Sequence, residues 1–251
     1  MQELLNLNLY HFLMVFLRLG AAVMLMPGFM SSYINPNIRL STALALSLIL
    51  MPIVIPHLPP NPNNISALIF CILHEITIGI FLGAVMQFIY SALNLAGSFA
   101  GQAIGFGNAQ VFDPTTQNQS IVVESFLSIV ALTVIFITDI HHLMISAIVD
   151  SYHLFPVNQA LPWGDFAKEL TSLLNSSFIM GFKLGSPFIA FTIIFYTGMG
   201  LVSRLMPQLN IFFLSLPLQI YLGLGLLFIT TPIIILWFIQ YYDEGLYPFS
   251  H

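Results

Sequence analysis

Long apolar runs separated by short polar stretches dominate the chain. The runs cover about residues 10–26, 40–55, 65–106, 121–155, 173–205 and 211–241. A run of roughly 20 apolar residues is long enough for a helix to cross the hydrocarbon of a bilayer. The pattern therefore predicts an all-α protein of the integral-membrane class, with about six spans arranged as hydrophobic helical hairpins.

The run over residues 65–106 is too long for one simple span. At about 1.5 Å per residue, a straight helix of this length reaches roughly 60 Å, about twice the hydrocarbon thickness. Only Glu75, Gln87 and Asn94 interrupt its apolar character. We expect that this run either folds back as a hairpin near residues 87–94 or projects well beyond the bilayer.

Proline-containing connectors separate several runs. Residues 56–64 hold four prolines, and residues 156–170 form a second connector in which Asp165 is a candidate cap for a short amphipathic helix. A third connector contains Arg204, Pro207, Gln208 and Asn210. There Pro207 removes a backbone donor, so we predict a rigid turn in which Arg204 meets a carboxylate or a helix C-terminus.

Composition supports the membrane class and excludes one partner class. The chain is 58% hydrophobic and 6% charged with a net charge of −5, and its mean hydropathy is +0.93. Soluble domains have about 25% charged residues. No basic cluster is available to neutralise phosphates, so we expect no nucleic-acid partner. Cys71 is the single cysteine, which leaves no intrachain disulfide.

Glycines with four-residue spacing recur in the apolar runs. Such spacing places small residues on one helical face and allows another backbone to approach closely. The candidate helix-packing positions are Gly79, Gly83, Gly97, Gly101 and Gly105. They serve packing within this chain or against other subunits, and the sequence does not separate these two alternatives.

Several charged residues lie within or beside the apolar runs, where an unpaired charge costs at least about 2.5–3.5 kcal/mol at a helix centre. We expect each to have a partner, either in structural ion pairs of an assembly or in an ion pathway of a secondary transporter. These charges are scattered along the chain and no inverted repeat is evident, which favours structural ion pairs over an ion pathway. The residues are Arg18, Glu75, Glu124, Asp139, Asp150 and Lys183.

An irregular polar stretch follows the glycines in the middle of the chain. Non-helical backbone at membrane depth persists only where protein buries it or a cavity hydrates it. We therefore predict that residues 106–120 project into a passage as a plug. Its candidate residues are Phe106, Gly107, Val111, Phe112, Asp113 and Pro114. The alternative is a solvated connector outside the assembly.

Catalytic and metal motifs are not evident. His74-Glu75 lacks the second histidine of a zinc-hydrolase helix, because position 78 is Ile78. Asp139, His141, His142 and His153 include ligand types, but adjacent histidines point about 100° apart on a helix. The residues therefore predict no metal, no cofactor and no catalytic site.

The motifs together resemble one family, the flagellar biosynthetic protein FliR and its counterparts in virulence type III secretion. The residues that carry this resemblance follow the family order along nearly the whole chain. They are Arg18, Pro27, Arg39, Glu75, Ile78, Gly79, Gly83, Gly97, Gly101, Gly105, Asp113, Pro114, Pro187, Gly200, Arg204, Pro207, Gln208, Asn210, Phe212, Pro217 and Gly223. Members often carry a basic residue shortly after the position of Pro217, where this chain has Gln219.

The resemblance implies a non-enzymatic core component of the export gate in the bacterial inner membrane, at the flagellar basal body. It implies several copies of FliP and FliQ homologues and an FlhB homologue as partners, contact with membrane lipid, and unfolded export substrates in transit. It also implies FliP-like and FliQ-like hairpins stacked into a helical assembly above the membrane plane. The alternatives are a multi-span secondary transporter for a small solute or ion and a purely structural membrane scaffold.

Overall fold

Every regular element in the described part of the chain is helical. A computed structural model describes residues 2–30, 34–62, 64–106, 121–157, 159–208 and 211–249. Within these ranges the helices, in chain order, are α1 Gln2–Leu25, α2 Pro36–Val54, α3 Ile65–Ile104, α4 Ile121–Ile137, α5 Ile140–Leu154, α6 Trp163–Leu205 and α7 Ile211–Leu246, with 3₁₀ turns at Ile55–His57 and Tyr247–Phe249. The expected all-α architecture is confirmed.

Fewer helices than expected are long and apolar enough to span a membrane. Over the described residues there are four, within Pro36–His57, Ile65–Ile104, Trp163–Leu205 and Ser215–Phe249. A fifth candidate arises if α4 and α5 form one broken span. The apolar part of α1, Leu9–Leu25, is shorter than a span. The prediction of about six spans is therefore wrong for the described chain.

Helix α3 continues without a break for 40 residues. The hairpin that the sequence allowed near residues 87–94 is therefore wrong. No proline interrupts this stretch, and the polar side chain of Asn94 is used in packing, because its amide oxygen accepts a hydrogen bond from Ser128 at 3.0 Å. Because the Asn94 side chain is hydrogen-bonded to a neighbouring helix, it is compatible with a continuous helix and does not require a turn.

Helix α6 begins inside the stretch that the sequence presented as a connector. Its first residue is Trp163, directly after Pro162, and Phe166 N–H donates to the Pro162 carbonyl at 3.0 Å. The connector therefore ends at Pro162 and not at residue 170. Proline is favoured at a helix start because the first N–H groups have no intrahelical partner.

The contacts divide the chain into two compact units. Unit 1 comprises residues 1–89, 135–174 and 242–251, and unit 2 comprises residues 90–134 and 175–241. In unit 1, α1 packs beside α2 and the first part of α3. An aromatic cluster closes this unit around Phe81, whose ring stacks on Phe166 at 4.0 Å between centroids and meets Phe155 and Phe249 edge-on.

In unit 2 the second part of α3 is the central helix. A Cβ at Gly181 of α6 would lie 2.7 Å from the Ala92 carbonyl oxygen, and one at Gly223 of α7 would lie 2.8 Å from Ile104. On the α4 side, Tyr90 donates to the Ser128 carbonyl at 2.8 Å. Three helices therefore contact α3 in this unit, α6 and α7 through glycines of their own.

The first testable prediction concerns the contact between α1 and α3. A Cβ at Gly79 would collide with the Arg18 carbonyl oxygen. Because this neighbour is backbone, it cannot rotate away, so Gly79→Ala should destabilise unit 1 by at least about 1–3 kcal/mol, the usual cost of overpacking. The measurement is the amount of folded, protease-resistant protein in membranes.

Gly198→Ala is the matched control. A Cβ at Gly198 in α6 meets nothing within 4 Å, and alanine favours a helix more than glycine by about 1 kcal/mol. This variant should reach wild-type levels. Equal levels for Gly79→Ala and Gly198→Ala would contradict the close contact.

Candidate functional site

A buried ion pair joins α1 to α3 in unit 1. Arg18 and Glu75 are both 0% exposed. Arg18 Nε donates to Glu75 Oε2 at 2.6 Å, and Arg18 Nη2 donates to Glu75 Oε1 at 3.3 Å. This is the forked geometry in which guanidinium and carboxylate form two parallel bonds. The sequence marked both residues as charges in need of partners, and the structure brings these two together.

Helix α5 completes the surroundings of the guanidinium. Arg18 Nη1 donates to Ser151 Oγ at 3.0 Å, and Arg18 Nη2 donates to the Phe155 carbonyl at 3.1 Å. The Tyr152 ring lies 3.7 Å from the guanidinium carbon, within the range of a cation–π contact. Four hydrogen bonds and one aromatic face therefore hold the buried cation. Sequence reasoning missed Ser151, Tyr152 and Phe155, and no motif marks them.

The glycines on α3 set the approach of α1. Gly79 lies against the Arg18 carbonyl, and a Cβ at Gly83 would lie 2.7 Å from Leu25 Cβ and 2.9 Å from the Ala22 carbonyl oxygen. The two candidate packing glycines in the first part of α3 thus contact α1 directly. In unit 2, a Cβ at Gly97 would lie 2.7 Å from Glu124 Cα of α4, and Gly101 is buried.

Four other charges that the sequence singled out, Glu124, Asp150, Lys183 and Arg204, have no ion-pair partner within the described ranges, whereas Asp139 Oδ1 lies 3.5 Å from His142 Nδ1. Glu124 is half-buried, and Asp150 is also half-buried. Lys183, in the middle of α6, and Arg204, in its last turn, are exposed. Arg204 lies at a helix C-terminus, where the dipole favours a cation, but no described carboxylate contacts it.

A second arrangement fixes the end of α3 in unit 2. Gly105 has φ +91°, and its N–H donates to the Gln102 carbonyl at 3.0 Å. A glycine in the left-handed region is the usual way to end a helix. Gln219 of α7 is 1% exposed, and its Nε2 donates to the Ala103 carbonyl at 2.9 Å. Its amide carbon lies 3.0 Å from where a Gly105 Cβ would be.

An apolar cavity of about 520 Å³ adjoins this helix end. It lies within unit 2, and Phe106 is the part of its lining that comes from the end of α3. Thr231 is the only lining residue with a side-chain hydroxyl, and this group donates to the Leu227 carbonyl at 2.6 Å. The other described lining residues are Val122, Val123, Phe126, Leu224, Leu227, Phe228 and Pro232. The cavity therefore offers no free polar group from these side chains.

Several predicted site residues lie outside the described residues. These are Gly107, Val111, Phe112, Asp113 and Pro114 of the predicted plug, together with Asn210 of the third connector. Pro207 and Gln208 form an exposed turn after α6. Of the predicted plug, the structure describes Phe106, which is half-buried and lines the apolar cavity.

Comparison with known proteins decides the family. The pattern of the family described as bacterial export proteins, family 1, matches residues 9–245. The chain belongs to this family. The match includes both partners of the buried ion pair and the Gly105–Gln219 contact.

Three relatives that match this chain over most of their length are each named flagellar biosynthetic protein FliR. The chain is 40% identical over 214 residues to the flagellar biosynthetic protein FliR of Caulobacter vibrioides, covering 85% of each chain. It is 30% identical over 226 residues to the FliR of Bacillus subtilis, covering 89% of this chain and 86% of the relative. It is 27% identical over 230 residues to the FliR of Escherichia coli, covering 91% and 86%. This chain is thus a membrane-class component of bacterial export.

The second prediction concerns the buried ion pair of this family member. Glu75→Leu leaves the Arg18 guanidinium buried without its counter-charge, which costs about 3–5 kcal/mol in comparable pairs. Arg18→Met should cost a similar amount because it isolates the carboxylate. The double variant removes both charges and should be less destabilised than the sum of the two single variants.

The measurement is the thermal unfolding midpoint in detergent, on the chain with the subunits that co-purify, with Lys168→Met as the matched control. Lys168 is exposed near the start of α6, so removing its charge should shift the midpoint little. Strictly additive single and double variants would show that the pair contributes no coupling energy.

Proposed function

We propose that this protein is a core component of a flagellar type III protein export gate. It forms the substrate passage with several copies of FliP and FliQ homologues, with an FlhB homologue nearby. It is not an enzyme, and it acts in the bacterial inner membrane. The observation that carries this proposal is the match along nearly the full length of both chains to proteins named flagellar biosynthetic protein FliR.

Large apolar surfaces on α6 and α7 support a role in an assembly. Many bulky side chains of these helices are exposed, and extended apolar patches mark contacts with protein or membrane. Examples from both helices are Phe178, Phe182, Ile193, Ile194, Leu201, Phe228, Ile229, Leu236 and Trp237. We infer that partner helices and lipid cover these surfaces.

Unpaired charges on α6 and α4 favour protein partners for part of the exposed surface. Lys183 is exposed in the middle of an apolar helix, and Glu124 has no described ion-pair partner. Lipid does not neutralise a lysine at membrane depth, whereas a carboxylate on another subunit does. These two residues are therefore candidate intersubunit contacts, a role that Arg204, Pro207, Gln208 and Asn210 share in this proposal.

Closure of the passage by residues 106–120 is part of the proposal. A plug needs a fixed base, and the Gly105 turn with its Gln219 contact supplies one at the end of α3. The apolar cavity beside Phe106 offers a surface on which Val111 and Phe112 can pack in the closed state. A loop that packs through only a few apolar side chains is displaced by a passing chain at a lower free-energy cost than a packed helix.

The transporter alternative has less support. A transporter needs polar groups that are free to bind a solute near the membrane centre. The most buried charges here, Arg18 and Glu75, already use their hydrogen-bonding atoms on each other and on α5.

The third prediction tests assembly. Expressed alone, the chain should aggregate or be degraded, because its exposed apolar surfaces and unpaired charges lack partners. Co-expression with FliP and FliQ homologues should give one stable particle, measured by size-exclusion chromatography and by the subunits that co-elute. Lys183→Leu should reduce the co-eluting fraction, whereas Lys168→Leu, an exposed residue near the start of α6, should not. A monodisperse monomer in mild detergent would contradict the proposal.

The fourth prediction tests closure. Residues 108–118 are replaced by a Gly/Ser segment of equal length, which preserves the chain connection and removes the apolar and proline residues. Leakage of ions or small molecules across the membrane should rise in cells whose export particle still assembles. Unchanged leakage with an intact particle would eliminate the plug while leaving the assembly proposal standing.

A further inference from the structure

The break between α4 and α5 contains a strained acidic residue. Asp139 has φ 59° and ψ 14°, and among the described residues it is the one non-glycine position with positive φ. Such a conformation is uncommon outside glycine and often occurs at functional sites. Asp139 precedes α5 at the N-cap position, but its side chain makes no capping hydrogen bond. Its carboxylate is therefore available to a different partner.

Two histidine rings lie beside this carboxylate. The rings of His141 and His142 are 4.1 Å apart between centroids, with 36° between their planes. The His141 ring also packs on Phe136 at 4.9 Å, which draws it back toward the end of α4. The 100° rule for adjacent helix residues, which argued against a shared site, is therefore wrong here, because the rings meet in the first turn of α5.

The donor atoms of these three residues are close enough for one ion. One ligand atom from each of Asp139, His141 and His142 lies within 4.8 Å of the others. His142 Nδ1 and Asp139 Oδ1 are 3.5 Å apart. Two ligands bound tetrahedrally at about 2.0–2.1 Å are about 3.3 Å apart, so this pair is already near the required separation. His141 Nδ1 is shielded from solvent and has no hydrogen-bond partner in the described chain.

We propose that Asp139, His141 and His142 bind a divalent transition-metal ion, with Zn²⁺ as the preferred occupant. Two imidazole nitrogens and one carboxylate oxygen are a ligand set suited to zinc, with a water at the fourth position. Mg²⁺ and Ca²⁺ require mainly oxygen ligands. The three ligands lie within residues 139–142, so the site forms together with the first turn of α5.

The exposure of the cluster provides an entry path for the ion. The side chains of His142 and Asp139 are 71% and 75% exposed. An exposed carboxylate is costly in hydrocarbon unless it is paired or hydrated. A bound ion would fix the left-handed conformation of Asp139 and stabilise the folded chain by mass action.

The fifth prediction is tested on the full-length chain in detergent, with any subunits that co-purify, after removal of metal by EDTA. Zn²⁺ binding is measured by competition with a chromogenic chelator, and Co²⁺ is added separately to record its ligand-field absorption. The wild type should bind Zn²⁺ at one site that is lost or weakened by more than about tenfold in His142→Gln and in Asp139→Asn. Loss of an outer-shell group alone already costs about 10–100-fold.

Two controls make the result specific. His153 and His57 form a separate ring pair at 4.0 Å in unit 1, so His153→Gln changes the histidine count without touching the cluster and should leave binding unchanged. Asparagine tolerates the left-handed conformation, so Asp139→Asn should remain folded. Zn²⁺ binding of equal affinity in the wild type and in the Asp139/His141/His142 triple variant, or no binding in the wild type, would overturn the proposal.

Discussion

The buried guanidinium of Arg18 is the constraint on which unit 1 depends. A charge in an apolar interior is tolerated only when it is paired and hydrogen-bonded. Its side chain reaches Glu75 on α3 and Ser151 on α5, while its own carbonyl lies against Gly79. Glu75 and Gly79 are four residues apart and share one face of α3. The close helix contact and the ion pair are therefore parts of one interface.

The sequence predicts part of the ion pair and of the course of α3, and the remainder depends on contacts between distant residues. The rule that charges in apolar runs need partners marked Arg18 and Glu75, but six such charges stood in the sequence, and only the fold selects which two meet. The sequence indicates the long run of α3 but leaves its continuity open, because Gln87 and Asn94 also allow a turn. Asn94 instead pairs with Ser128 across helices, a contact that no local pattern encodes.

The same limit applies to the end of α3. From sequence, Gln219 stood out only as a departure from the pattern of the family that the chain resembles, and this gave no expectation of its contacts. In the fold the Gln219 amide is buried and donates to a helix carbonyl beside Gly105. A neutral amide suits such a site, since it needs no counter-charge when it is buried.

The partners of Arg18 lie far apart in the sequence, so the ribosome makes them at different times. Arg18 and Ser151 are 133 positions apart. At synthesis rates of about 5–20 residues per second, roughly 7 to 27 s pass between the appearance of these two residues on the ribosome. During that interval the guanidinium lacks part of its final surroundings. The Arg18 guanidinium therefore gains its full set of partners only after α5 has been synthesised.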